Sequence, residues 1–188
     1  MEIILASTSP RRRELIKKLN RPYRCVAGDY EEDMTLDLSP VELVQRLALG
    51  KASSVAHKYP DRIIVGADTV VVFQDQVLGK PHTAGRAYEV LTMLSGQVIE
   101  VMTGMALMLN NRQITRAAVT EVKLRVVSET EIRDYINTGE PLDKAGAFAV
   151  QGQGRTMVEQ VNGDVNNVVG LPVDEVRQML KIIETNRH

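Results

Sequence analysis

The most constraining stretch of this chain is Arg62-Ile63-Ile64-Val65-Gly66-Ala67-Asp68-Thr69-Val70-Val71-Val72-Phe73. It is the longest β-branched run, and such a run bounded by charge predicts a buried strand pair or one bent strand. A single carboxylate, Asp68, sits in its middle. An ionised carboxylate is costly to bury unless it is paired or bound to a cation. Two readings follow: the strand ends at Gly66 and Asp68 opens a tight turn, or Asp68 is held at the rim of a sheet for chemistry.

The flanking segments alternate strand and helix. Ile3 to Ala6 reads as a strand that stops at Ser7-Thr8-Ser9-Pro10, and a helix follows with Ser9 as N-cap, Pro10 at its first position and Leu15, Ile16 and Leu19 on one stripe. Ser39-Pro40-Val41-Glu42 is a capping box opening a helix to about His57, with Leu43, Val44, Leu47 and Val55 in the core and Lys51 near its polar side. Thr83 to Leu94 reads as a helix stopped by Ser95-Gly96. Val98–Leu109 and Gln113–Val127 read as strands joined by an Asn110-Asn111 turn, and Ser128-Glu129-Thr130-Glu131 opens a helix to Asn137. The small-residue segment 142–154 reads as a strand flanked by loops. Met157 to Val161 and Val165 to Val169 read as short strands, and Pro172 begins a last helix with Val176, Met179, Leu180 and Ile183 inward. The pattern is mixed α/β: a twisted mixed sheet with helices on both faces and two lobes around a cleft. At 188 residues the chain suits one globular domain, 1–188, of two apposed lobes.

Composition narrows function. Net charge is −1, and Trp is absent, so neither a basic field nor a stacking platform recruits nucleic acid. No apolar run approaches the roughly 20 residues of a membrane span. The apolar run at Ile3 has no basic region ahead of it, unlike a secretory signal. The lone Cys25 cannot close an internal disulfide, and reads as a core thiol in a reducing compartment. His57, His82 and His188 have no metal-ligand spacing. Walker, G-x-G-x-x-G and G-x-S-x-G motifs are missing.

What remains is basic groups for phosphate and carboxylates for a metal. The helix after Ser9 begins with Arg11, Arg12 and Arg13, although helix N-termini favour acids. That misplacement becomes favourable if a polyanion binds, where the hydroxyls of Ser7, Thr8 and Ser9, free N–H groups and guanidinium groups converge on phosphate. Lys51 and Lys80, the latter set between Gly79 and Pro81, are further cations; Glu31 or Glu32 could share a metal with Asp68, and Asp68 could accept a proton from water.

The motifs Leu5-Ala6-Ser7-Thr8-Ser9-Pro10-Arg11-Arg12, Gly66-Ala67-Asp68-Thr69-Val70-Val71, Gly79-Lys80-Pro81 and Asp143-Lys144-Ala145-Gly146 with Gln151-Gly152 and Gly170-Leu171-Pro172 closely resemble the Maf family of nucleoside triphosphate pyrophosphatases, over essentially the whole chain. The resemblance implies cleavage between the α- and β-phosphates with a divalent metal, Mg²⁺ or Mn²⁺, and an elongated bilobed fold like that of the inosine triphosphate pyrophosphatases. It implies Asp68 as proton acceptor, and places Arg12, Thr69 and Gln151 at positions linked to substrate choice. A related branch acting on 7-methylguanosine triphosphate has Trp before the motif arginine, Ser-Asp-Gln around the aspartate and Glu at the Gln151 position. With Arg11, Thr69 and Gln151, this chain resembles the branch acting on dTTP, UTP and modified pyrimidine triphosphates. A neutral amide donates and accepts, as a pyrimidine edge requires. Phe148-Ala149-Val150 departs from the Tyr-Gly-Ile of many relatives. The resemblance further implies a cytoplasmic enzyme, admits a homodimer, and brings an alternative: a nucleotide-binding regulator of septum formation with little turnover.

Overall fold

The computed structural model describes residues 1–185; His188 lies outside the described residues. Seven strands form a mixed sheet: β1 (Ile3–Leu5), β2 (Tyr23–Cys25), β3 (Ile63–Phe73), β4 (Gln76–Leu78), β5 (Val98–Leu109), β6 (Arg112–Leu124) and β7 (Val158–Asn162). Their order is β2-β1-β3-β5-β6-β7, with β4 paired to β3. β1 runs parallel to both β2 and β3, while β3–β4 and β6–β7 are antiparallel. Among the described residues six α-helices accompany them: α1 (Pro10–Lys17), α2 (Pro40–Ala56), α3 (Ala84–Leu94), α4 (Glu129–Asn137), α5 (Val165–Val169) and α6 (Val173–Thr185). The mixed α/β class is as expected.

The long apolar run is one strand of 11 residues, β3. It neither ends at Gly66 nor turns at Asp68. β3 then turns back through Gln74 and Asp75, both at positive φ, into β4, which the sequence reading missed.

The chain divides into two compact units. The first comprises Met1–Thr69, Thr103–Ala118 and residues 170–185. In it, Ile3, Ile4 and Leu5 are buried, as are Ile63, Ile64 and Val65. Successive strand residues point to opposite faces, so burial of all of them means that both faces are covered. α2 covers one face: Ala48, Ala52 and Val55 pack with Ile4, Ile64 and Ala106. Glycines let it come close. A Cβ on Gly66 would stand 2.2 Å from the Ala48 carbonyl oxygen, and one on Gly104 would stand 2.0 Å from that of Val44. The caps are those the sequence announces: Ser9 accepts from Arg12 N–H, and Ser39 and Glu42 close a capping box.

The second unit comprises Val70–Met102 and Val119–Val169. Its core joins α3 (Val90, Leu91, Leu94) and α4 (Ile132, Tyr135) to Ile99, Val122 and Leu124. Phe148 belongs to the same core with Val150 against it, so the departure from Tyr-Gly-Ile is accommodated by packing.

Three sequence expectations fail here. Residues 142–154 form bends and 3-10 turns (Glu140–Asp143, Ala145–Ala147, Gln153–Met157) rather than a strand. Gly146, Ala147 and Gly152 adopt positive φ, outside the β region that a regular strand holds. Val165–Val169 is a short helix despite its valines, because Asp164 caps it: its carboxylate accepts from Asn166 N–H at 2.8 Å, and its carbonyl accepts from Asn167 N–H at 3.1 Å. β6 also ends at Leu124, short of Val127.

Candidate active site

Asp68 and Thr69 are neighbours on β3, so they point to opposite faces of the sheet. The first unit uses both faces. Asp68 shares its face with Ile64 and Gly66, the side on which α2 lies. It is buried, at 6% exposure, and its carboxylate is paired with Lys51 of α2. Lys51 also meets Glu32 at 2.7 Å. Lys51, placed by the sequence near the polar side of its helix and among the cations for phosphate, is half-buried and faces these two acids. The close approach of α2 at Gly66 brings its ammonium group between two carboxylates.

Glu32 comes from the irregular run 26–39, which is laid on α2 by small residues. A Cβ on Gly50 would stand 2.2 Å from the Tyr30 ring, and one on Gly28 would stand 1.9 Å from Ser54 Oγ. Both Glu31 and Glu32 are exposed, and it is Glu32 that meets Lys51.

On the other face, Thr69 meets Arg12. Arg12 Nη2 donates to Thr69 Oγ1 at 3.0 Å and its Nε donates to the Gly170 carbonyl at 2.8 Å. Thr69 Oγ1 is in turn 2.9 Å from Thr103 Oγ1. Gly170, at φ +124, is the last motif glycine; a Cβ there would approach Arg12 Nε to 3.4 Å. Burial pushes the Arg12 guanidinium below its ordinary value; Asp68 and, less strongly, Glu32 pull it back up, while Arg11 lowers it further. A desolvated cation of this kind gains by meeting an anion. Arg11 is half-buried beside it at the start of α1, where no acidic side chain competes. Ser9 Oγ is engaged as the helix cap, and Ser7 Oγ accepts from Ser9 N–H at 3.2 Å.

Lys80 and Gln151 lie in the second unit, and both are exposed. Lys80 is placed by backbone bonds on either side: Gly146 N–H donates to the Gly79 carbonyl at 3.2 Å, and His82 N–H donates to that of Leu142 at 3.1 Å. His57 caps α2 at its C-terminus, is exposed, and takes no part. Cys25, on β2, is half-buried rather than a core thiol.

Thr103 and the Gly170 carbonyl are the site members that sequence reasoning missed. The available signal for Thr103 was one hydroxyl in an apolar strand, Val101-Met102-Thr103-Gly104. Nothing in a sequence marks a carbonyl.

Among the described residues no group of three or more His, Cys, Asp or Glu side chains is placed to hold a metal ion. The pair formed by Asp68 and Glu32, already gathered around one cationic group, is a hard-oxygen donor set. It fits Mg²⁺ or Mn²⁺, which commonly take one or two carboxylates and complete their shell with water and substrate phosphate.

These features define an α/β protein that holds a lysine between two carboxylates and a buried-strand threonine against an arginine, on neighbouring positions of one strand. Compared with known proteins, the chain matches the model of the Maf-like proteins over residues 2–183. It belongs to the Maf family. It is 44% identical over 180 residues to proteins named dTTP/UTP pyrophosphatase in Bacillus cytotoxicus and Halalkalibacterium halodurans, covering 96% of this chain and 94% and 95% of those. Among solved structures, the Ham1 protein of Staphylococcus aureus matches 66% of this chain and 72% of that one, with a TM-score of 0.48 and 14% identity.

Proposed function

We propose that this protein is a nucleoside triphosphate pyrophosphatase that hydrolyses dTTP and UTP to the monophosphate and pyrophosphate. The reading is carried by the extent of the match: 44% identity over 96% of the chain to proteins bearing that name. The site geometry supplies a physical account of it.

Asp68 accepts a proton from the attacking water; its burial and its pairing with Lys51 hold the carboxylate in one orientation. Arg12, prepaid in desolvation, binds phosphate oxygens together with Arg11 and the N-terminal N–H groups of α1. Lys51 stands close enough to Asp68 and Glu32 to move from carboxylate to phosphate when substrate brings further negative charge. Lys80 is assigned to the phosphates and Gln151 to the pyrimidine edge, where its amide both donates and accepts. Asp68 and Glu32 would hold a divalent cation, which neutralises phosphate charge and polarises the bond that breaks. The same reading places the enzyme in the cytoplasm; no helix among the described residues is long and apolar enough to cross a membrane.

The test is product identity. Incubation with dTTP or UTP and Mg²⁺ or Mn²⁺ should release nucleoside monophosphate and pyrophosphate in equal amounts, and chelation of the metal should stop it. Nucleoside diphosphate plus orthophosphate would overturn α,β-cleavage. Tight UTP binding without any product would overturn the enzyme reading in favour of a nucleotide-binding regulator.

A further inference from the structure

The segment that carries Gln151 has no ladder to hold it, because residues 142–157 run through bends and 3-10 turns. Within the second unit two side chains reach into that segment from outside: Arg125 Nε donates to the Thr156 carbonyl at 2.7 Å near its end, and Glu140 meets the turn that follows Gln151. Glu140 Oε2 accepts from Gln153 N–H at 3.0 Å, and Oε1 accepts from Gly154 N–H at 3.2 Å and from the Tyr135 hydroxyl at 3.2 Å. The glycines admit the carboxylate. A Cβ on Gly152, whose φ is +73, would stand 2.8 Å from both Glu140 oxygens, and one on Gly154 would stand 2.6 Å from the Tyr135 hydroxyl oxygen.

Glu140 is itself anchored. Its N–H donates to Thr138 Oγ1 at 3.1 Å, and Thr138 Oγ1 donates to the Tyr135 carbonyl at 2.6 Å. Tyr135 is buried in the core of the unit. A rigid helix end therefore holds a two-oxygen acceptor against the turn that begins directly after Gln151. Only a carboxylate offers acceptors on both atoms; an amide would aim its NH₂ at a backbone donor.

We propose that Glu140 is a positioning residue: by clamping the Gln153 and Gly154 amides it sets how Gln151 is presented, and so which base the enzyme accepts. This rests on the reading of Gln151 as the group that meets the base. Truncating the clamp should act on substrate ranking rather than on the chemical step, since Glu140 touches neither Asp68 nor Arg12 in the contacts described.

The experiment compares wild type with Glu140→Gln and Gln151→Glu on UTP and GTP, reading kcat and KM separately, together with hydrogen exchange at the Gln153 and Gly154 amides. Glu140→Gln should raise KM for UTP about tenfold, the scale of one lost charge-assisted hydrogen bond, with kcat nearly unchanged. It should narrow the preference for UTP over GTP and speed exchange at both amides. Where Glu140→Gln fails to fold, Tyr135→Phe, which removes one donor and keeps the carboxylate, should move ranking and exchange the same way by less. Re-ranking by Gln151→Glu, with ranking in the Glu140 variant unchanged, would overturn the clamp, whether or not exchange had risen. If neither variant re-ranks, the base-reading role falls and the clamp with it. If wild type yields no pyrophosphate at all, the enzyme reading falls separately. The clamp is then decided by titrating UTP and GTP into the same proteins, an equal change for both or no change overturning it.

Discussion

Asp68 and Thr69 show how one peptide unit can serve two purposes. Strand geometry sends Asp68 toward Lys51 on α2 and Thr69 toward Arg12 on α1, so the proposed base and the arginine proposed to meet phosphate are held by neighbouring positions of one strand. Replacing Asp68 by Asn keeps the volume and removes the negative charge and the proton acceptor. Turnover should fall by roughly 10²–10⁴-fold, the usual contribution of general base catalysis, while the far-UV spectrum stays that of wild type. Lys51 retains Glu32 as a partner in that variant, which favours a folded product. Near-normal turnover would remove Asp68 from the mechanism. The chemical identity of both residues was legible in the sequence, because an acid in a β-branched run and a basic helix start each break a rule. Which of Glu31 and Glu32 meets Lys51 was not, since that depends on Tyr30 lying over Gly50.

At the level of elements, the position of α2 against the sheet decides whether Lys51 reaches Asp68. Gly66→Ala would put a Cβ 2.2 Å from the Ala48 carbonyl, which is backbone and cannot swing aside. Overpacking of this kind costs about 1–3 kcal/mol. The variant should melt several degrees lower and lose activity even below its melting point, as α2 carries Lys51 away. Gly85→Ala is the control: nothing lies within 4 Å of a Cβ there, and α3 should gain or hold stability. Equal melting temperatures for the two variants would refute the close-packing account.

The capping box of α4 gives a pH prediction. The Arg125 guanidinium, 2.6 Å away, with the Ser128 N–H and hydroxyl, lowers Glu131 from 4.5 to about 2. The folded form thus holds its proton less tightly than the unfolded form. The stabilisation is fully present above 4.5 and is lost as pH falls from there toward 2. Glu131→Gln should therefore melt below wild type at neutral pH, with the gap closing across that acid range. A gap independent of pH would show that charge is not what Glu131 contributes.

Capping chemistry also explains which elements were readable. α1, α2, α3 and α4 each start at a Ser or Thr cap that the sequence displays. α5 was misread as a strand because its valines outweighed Asp164, and residues 142–154 were misread because a strand and an irregular glycine-rich run share the same small residues.

For the whole molecule, chain order and spatial order part company. The first unit is assembled from Met1–Thr69, Thr103–Ala118 and residues 170–185. α6 supplies it with the buried Val176, Met179, Leu180 and Ile183, and Gly170 supplies the carbonyl that Arg12 holds. Arg21 closes on Glu184 with two bonds, at 2.6 and 2.9 Å. Truncation after Val169 should leave this unit without part of its core. Loss of a cooperative melt, with dye-binding apolar surface exposed, is the expected result, and a sharp wild-type-like transition would contradict it.

The amino-acid sequence by itself determined the class of the fold, the caps, the apolar faces and the identity of the polar residues that had no structural reason to be where they are. These are local matters of propensity, periodicity and desolvation, and a short window of chain contains them. The tertiary structure alone decided that Lys51 is a partner of Asp68 rather than a surface lysine, that Glu32 is the nearer acid, that Thr103 and a glycine carbonyl hold Thr69 and Arg12, and that Glu140 grips the turn after Gln151. Those contacts lie where a glycine lets something come close: the α2 backbone at Gly66, and side chains at Gly50, Gly170 and Gly152. A missing side chain states that something comes near; only the folded chain states what.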